Sequence, residues 1–312
     1  MSKTNRTALI LIFDSFLAID LIHQRTPRRE DRVQNRTVYI KGELYTLLSR
    51  LGSGKFASVW KSTTRDGQYA AVKVFDFNYS RNNINSGQRV RSFRNEIQMA
   101  RRMREEMNYV ATVYAVDLDR QRRMGFIAME LGNRPFRDKI EDLHQMHFQS
   151  PKTGYDYITA KDRKNIWIQL VNILCALYRH DIVHRDIKPA NLVFFGSTLK
   201  IIDFGIAQDA VAQYNRHQRG GNHPYSAPEC FTQYLPITSQ ADIWSAGSIL
   251  YYLTYGKTPV YESPRPPSGA PQTKSPLVRN ILYYSFQRNP NRRANLPWLV
   301  EHPLTKDKYA LF

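Results

Sequence analysis

The sequence predicts an α+β fold: a small N-terminal antiparallel sheet with one helix, then a larger, mainly helical part. Three stretches predict it. From Val38 to Asp76 short apolar runs alternate with turn signals, the pattern of a small antiparallel sheet. From Asp162 to His180 apolar residues occupy most of the positions around a helix, as in a buried core helix. From Val183 to Ala207 two short apolar frames each end in an aspartate, Asp186 and Asp203, 17 positions apart. Such frames read as strand ends or as loops beside strands.

Composition sets the outer bounds. Hydrophobic residues make up 42% of 312 residues, enough for a sizeable core in one large domain or two small ones. Two cysteines, Cys175 and Cys230, make no disulfide framework, so a reducing compartment is expected, cytoplasmic or nuclear. The formal charge of +18 favours acidic partners. No RNA- or DNA-binding motif surrounds the basic residues. Acidic protein substrates are therefore the first reading and nucleic acid a distant second.

Residues 1–37 read as an N-terminal arm and linker. Within them Thr7 to Ile22 is strongly apolar, but Asp14 and Asp20 interrupt it and no small-x-small cleavage site follows. It reads as a helix packed on the domain or on a partner rather than as a secretory signal. It is too short and too charged for a membrane span. The folded domain is expected to begin near Val38.

Arg65-Asp66-Gly67 is a hairpin turn between two strand-like runs. Gly52-Ser53-Gly54 also lies between strands, whereas a Rossmann glycine turn would lead into a helix. Glycines there let the backbone approach phosphates closely. Lys73 closes an apolar strand. Phe93, Ile97, Ala100, Met103 and Met107 recur at helical spacing and predict a helix from Ser92 to Met107, with Glu96 beside its apolar face. A loop is expected over Asn78–Gln88. Arg91, Arg94, Arg101, Arg102 and Arg104 make the helix basic, a solvated face before a docking surface. Phe126 to Asn133 is a strand running into a small-residue break. His144 and His147 lack a third ligand nearby and read as surface histidines.

The segment around Asp186 carries the chemistry. Leu192 to Phe195, then Gly196-Ser197, reads as strand and turn of a hairpin, which brings Asn191 and Asp203 toward one cation. Their oxygens are hard ligands suited to Mg²⁺. Asp186 is then free of the metal and placed to accept a proton. Lys188 is a fixed positive charge for a phosphate. Phosphoryl transfer suits this set, since it needs positioning and charge neutralisation more than covalent work.

HRDIKPAN at 184–191 and DFG at 203–205 resemble the catalytic and metal-binding loops of eukaryotic protein kinases, the worked template for these roles. The pattern covers about 38–305, which the resemblance divides into 38–131 and 132–305, with a short tail at 306–312. Within kinases, SFRNEI at 92–97, MELGN at 129–133, LKIIDFGIA at 199–207 and YYLTYGKTP at 251–259 are similar to the monopolar-spindle (TTK-type) dual-specificity kinases. The resemblance implies a two-lobed protein-kinase-like fold with MgATP between lobes. Leu51, Gly52, Ser53, Gly54, Lys55, Val59, Ala71 and Val193 would surround the nucleotide, with Ala57 where the family has a third glycine. Lys73, held by Glu96, would bridge the phosphates. Met129 would stand at the back of the pocket, and backbone groups of Glu130, Leu131 and Gly132 would hydrogen-bond the adenine. Asp186 and Lys188 would be catalytic; Asn191 and Asp203 would hold Mg²⁺.

The resemblance also assigns structural work. His184 would pack beneath DFG, Asp242 would anchor the catalytic-loop backbone, and Glu229 would pair with buried Arg293. Tyr261 to Ser275 is proline-rich, so the family's usual helix there is expected to be loop. Lysine two residues after the catalytic aspartate is the serine/threonine pattern. Expected work is transfer to serine and threonine, with tyrosine in the dual-specificity reading, in spindle-checkpoint signalling at the kinetochore. The alternatives are a pseudokinase scaffold and a serine/threonine kinase with a non-mitotic role. Between Asp203 and Glu229 the only serine is Ser226 and there is no threonine. Asn222 stands where such kinases carry a threonine. Arg216, His217 and Arg219 repel Arg185, so phosphorylation of Tyr214 or an acidic regulatory partner is expected to order the segment.

Overall fold

The structure, a computed structural model, describes residues 36–78, 86–148, 156–210, 224–232, 235–259 and 263–306. The apolar segment 7–22, most of the linker, loop residues 79–85, the tail 307–312, and Tyr214, Arg216, His217, Arg219 and Asn222 lie outside the described residues. The chain divides into two units: residues 1–100 with 111–131, and residues 101–110 with 132–312.

In the first unit six strands form one antiparallel sheet. They are β1 (Thr37–Ile40), β2 (Glu43–Ser53), β3 (Ser58–Thr64), β4 (Tyr69–Asp76), β5 (Val113–Asp119) and β6 (Met124–Met129). The order is β1-β2-β3-β4-β6-β5. The predicted turn at 65–67 joins β3 to β4, with Gly67 at φ +78°, a value that favours glycine. Alternation divides the buried strand β4 between two cores. Ala71 and Phe75 pack with Phe93 and Ile97 of helix α1 (Ser86–Arg102). Ala70, Val72 and Val74 pack with Ile40, Leu47 and Trp60. Each fully buried large apolar side chain contributes about 1.5–3 kcal/mol. Lys73 lies between Ala71 and Phe75 in the alternation and so faces the helix side.

Helix α1 is displaced from its predicted span of Ser92–Met107. It begins six residues earlier, at Ser86, so the last three residues of the expected loop are helical. The early start is packed: Val90 joins the core, and Arg89 is buried with Nη1 donating to Phe56 O at 2.7 Å. It also ends earlier. Beyond Arg102 the chain runs in turns, with Glu106 N on Met103 O and Tyr109 N on Glu106 O. Val110 bridges Ile201 in parallel, which takes this stretch off the helical path. Met107 is 56% exposed, not a core position.

The second unit holds the other helices: α2 (Phe136–Phe148), α3 (Ala160–Arg179), α4 (Gln240–Tyr255), α5 (Pro276–Ser285), α6 (Leu296–Glu301) and α7 (Pro303–Lys306). Helix α3 is the expected core helix. Trp167, Leu170, Val171 and Leu174 are buried, while Cys175 is only half-buried at the margin of this core. Thr159 caps α3, its hydroxyl accepting from Asp162 N at 3.0 Å; such a cap contributes about 1 kcal/mol. Gly256, at φ +66°, ends α4. Residues 263–275 contain no helix, as the prolines dictate. Among the described residues no helix is long and apolar enough to cross a membrane.

Two small sheets complete this unit. Strand β7 (Arg134–Pro135), β9 (Leu192–Phe195) and β10 (Thr198–Ile201) form one in the order β10-β9-β7; β8 (Ile182–Val183) pairs with β11 (Gln208–Asp209).

Candidate active site

The second unit builds a loop of charged residues between β8 and β9. Buried Asp242, in the first turn of α4, holds its start. Its carboxylate accepts the N–H of His184 at 2.7 Å and that of Arg185 at 2.9 Å. Burial pushes the Asp242 carboxyl up to about 6, opposed by those two N–H groups and the Arg185 charge. The His184 ring meets the edge of Phe204, centroids 5.0 Å apart, so it packs beneath the 203–205 segment. Arg185, buried, donates to Gln208 Oε1 at 3.1 Å.

Asp186 is the centre of a hydrogen-bonded set. Its Oδ2 accepts from Lys188 Nζ at 2.6 Å and from Asn191 Nδ2 at 2.9 Å. The same amide nitrogen donates to Asp186 O at 2.8 Å. Burial raises the Asp186 carboxyl, and the Lys188 charge opposes this. Among the described residues Oδ1 of Asp186 accepts no hydrogen bond, which leaves it for an incoming donor.

The β9–β10 hairpin brings Asn191 next to the 203 segment. Leu192 pairs with Ile201, and Ile202 N donates to Asn191 O at 2.9 Å. Asp203 Oδ1 accepts Gly205 N at 3.1 Å. Asp203 and Arg185 both stand at φ +67°, sparsely used by residues other than glycine. The nitrogen of Asn191 is committed to Asp186, so its oxygen is the donor left for a cation. That oxygen and the Asp203 carboxylate are the hard donors that could hold Mg²⁺, an ion that keeps phosphate and water for its other positions. Among the described residues no group of three or more His, Cys, Asp or Glu could hold a metal. His144, expected at the surface, is half-buried and stacks on Tyr157 with Nδ1 2.7 Å from its carbonyl.

Further along this unit Glu229 and Arg293 form a bidentate, fully buried pair at 2.6 and 3.0 Å. Gly132 lies against Val193: a Cβ there would meet Val193 Cγ1 at 2.2 Å.

In the first unit Lys73 Nζ donates to Glu96 Oε2 at 2.6 Å, both side chains buried. Leu51, Gly52 and Ser53 end β2, and Val59, after Gly54 and Lys55, stands in β3. Gly54 N donates to Ala57 O at 2.8 Å and closes the turn between these strands. Ala57 needs no glycine freedom: its φ is not positive and its methyl is buried in the core with Ala71, Met129 and Leu131. The N–H of Glu130 donates to Thr112 O at 2.8 Å.

Arg89 went unnoticed in the sequence. Its bond to Phe56 O ties α1 to the glycine-containing turn. The signal was there: Arg89 stands four residues before Phe93, on the same side of the helix.

A profile of the protein kinase domain matches residues 45–305. The chain is 26% identical over 294 residues to dual specificity protein kinase TTK of Mus musculus, covering 86% of this chain and 32% of that protein. It is 25% identical over 307 residues to the Ttk protein of Danio rerio, covering 91% and 29%. It is 25% identical over 293 residues to a probable serine/threonine-protein kinase, mps1, of Dictyostelium discoideum, covering 86% and 28%. The chain thus spans about a third of the length of these curated relatives. With the profile matching most of its residues, and with its buried ion pairs and catalytic-type loop in place, this chain belongs to the protein kinase domain family.

Proposed function

We propose that the chain transfers the γ-phosphoryl group of MgATP to serine and threonine hydroxyls of protein substrates. Tyrosine is added if the dual specificity in the relatives' names extends to it. The observation that carries this reading is the Asp186 set. Lys188 and Asn191 hold Oδ2, which aims Oδ1 at the attacking hydroxyl. Asp186 orients that hydroxyl and takes its proton at Oδ1. Lys188, 2.6 Å from the carboxylate, supplies its positive charge to the transferring group as charge develops there. Lys73, fixed by Glu96, grips the nucleotide's phosphates. Gly52 and Gly54 leave backbone open to them: a Cβ at Gly52 would meet nothing within 4 Å. The surround of Leu51, Ser53, Lys55, Val59, Ala71, Met129, Leu131, Gly132 and Val193 belongs to the same reading. Asn191 and Asp203 would hold Mg²⁺, which neutralises phosphate charge when bound.

The charge of +18 supports substrates with acidic residues around the acceptor. Resemblance to the monopolar-spindle kinases supports a spindle role, with cytoplasmic, nuclear or kinetochore residence. The test is to incubate the purified chain with MgATP and a degenerate peptide library. Transfer to Ser or Thr beside acidic residues is expected, reduced about 10²–10⁴-fold in Asp186→Asn, the range for a lost general base. Nucleotide binding with no transfer by the wild type would establish a pseudokinase scaffold instead.

A further inference from the structure

Beyond Asp203 the backbone returns to the start of the catalytic loop as strand β11. Gln208 pairs with Val183 of β8, and Asp209 with Ile182. Ala210 N donates to Asp181 O at 2.8 Å. Arg102 Nη1 donates to Asp209 Oδ2 at 2.9 Å, and its Nη2 donates to His180 O. These bonds make β11 a fixed platform for whatever side chain it presents to the loop. That side chain is Gln208, and it uses both ends of its amide. Oε1 accepts from Arg185 Nη1 at 3.1 Å, while Nε2 donates to Ile237 O at 2.9 Å. The two ends are not interchangeable. A guanidinium only donates and a carbonyl only accepts, so a flipped amide would lose both bonds.

Arg185 is 2% exposed and stands at φ +67°. A backbone of that kind persists where the surroundings over-determine it. Here Asp242 holds the N–H of Arg185 and Gln208 holds the far end of its side chain. The next residue is Asp186, whose Oδ1 must meet the attacking hydroxyl. An added phosphate is one way to fix an arginine beside a reacting loop. In this chain a neutral amide already holds it. We propose that Gln208 is a positioning residue: by tying Arg185 to β11 and to the Ile237 carbonyl, it sets the backbone that presents Asp186, so the chain transfers phosphoryl groups without itself being phosphorylated. The proposal rests on the phosphoryl-transfer reading above and adds its regulation: the loop is set by folding, not by modification.

The test uses the full chain, treated with phosphatase and shown by intact mass to carry no phosphate. It should transfer to peptide substrate at the untreated rate from the first time point. A lag that ends as phosphate appears on the chain overturns the proposal. Gln208→Leu should lower kcat by roughly 10–100-fold, the scale of a small misplacement of a reacting group, with KM for ATP kept. Gln208→Glu keeps an acceptor for Arg185 and should recover part of the loss. Gln208→Lys sets a cation against the guanidinium and should recover none. Equal losses in these two variants, or full activity in Gln208→Leu, overturn the proposal. A second readout needs no substrate. Amide exchange across 184–187 should quicken by about tenfold or more in Gln208→Leu, as expected for a lost bond to a charged group, while α3 exchanges as in wild type. Unchanged exchange rejects the anchor whatever the activity. Faster exchange in the variant, with a wild type that transfers nothing, rejects the transfer reading and keeps the anchor.

Discussion

Arg293 grips both carboxylate oxygens of Glu229, at 2.6 and 3.0 Å, with neither side chain exposed to solvent. The arginine also donates to Gln287 O and Gln240 O, so it ties the residues after the 211–223 stretch to the start of α4 and to the turn after α5. Removing one partner leaves an uncompensated buried charge, which costs about 3–5 kcal/mol. Arg293→Met should lower unfolding stability in urea by that amount. Adding Glu229→Gln to it should restore part of the loss. An Arg293→Met protein as stable as wild type would show the pair to be solvated in solution.

Asp242 makes stability depend on pH. Its carboxyl is raised to about 6 from an ordinary 3.8, so the native state holds the proton longer than the unfolded chain. The contribution is full below about pH 4 and is lost as pH rises through 6. The span corresponds to roughly 3 kcal/mol at about 1.36 kcal/mol per unit. Asp242→Asn has no such titration. Urea melts of both proteins at pH 4 and pH 6.5 should show wild type losing ground relative to the variant across the window. A constant difference would mean that Asp242 titrates in the ordinary carboxylate range.

Gly132 and Val193 are predicted to be coupled. A methyl at 132 would sit 2.2 Å from a γ-carbon of Val193 and 3.3 Å from the carbonyl of Phe194, and a β-branched side chain cannot swing away freely. Gly132→Ala should destabilise by about 1–3 kcal/mol, the usual range for overpacking. Val193→Ala in the same chain should recover most of it. Additive losses in the double variant would show that the clash is with the backbone.

Arg89→Met should weaken nucleotide binding without touching the reacting groups. The lost bond to Phe56 O is charge-assisted, with a contribution of about 1.5–3 kcal/mol. The expected result is a KM for ATP raised by roughly tenfold or more, by about 1.4 kcal/mol per decade, with kcat kept. A fall in kcat at unchanged KM would place the effect on chemistry instead.

Much of this site is legible in the chain because it depends on short-range order. The hairpin from Leu192 to Ile201 is local, so the approach of Asn191 to the 203 segment follows from turn and strand signals. Alternation along β4 puts Lys73 on the helix side, and helical spacing puts Glu96 beside Phe93 and Ile97. The pairing of Glu229 with Arg293 spans 64 residues and has no local signal; only resemblance suggests it. The ends of α1 depart from the helical spacing because tertiary contacts set them: Arg89 and Val90 draw the start earlier, and the Val110–Ile201 bridge stops the end. Ala57 looked like a departure from a glycine pattern, yet its place is defined by packing, which a motif does not express.

Arg185 and Asp203 both hold a left-handed backbone that their side chains disfavour. A non-glycine residue there gives up on the order of 1 kcal/mol. Selection acting on heat resistance alone would therefore accept glycine at 203, whereas at 185 the buried arginine's bond to Gln208 and its charge near Asp242 outweigh the gain. A library screened only for survival of heating should drift at 203 toward proteins that last longer and transfer less. Stability-guided engineering of this chain should hold those two positions constant and look for its gains elsewhere.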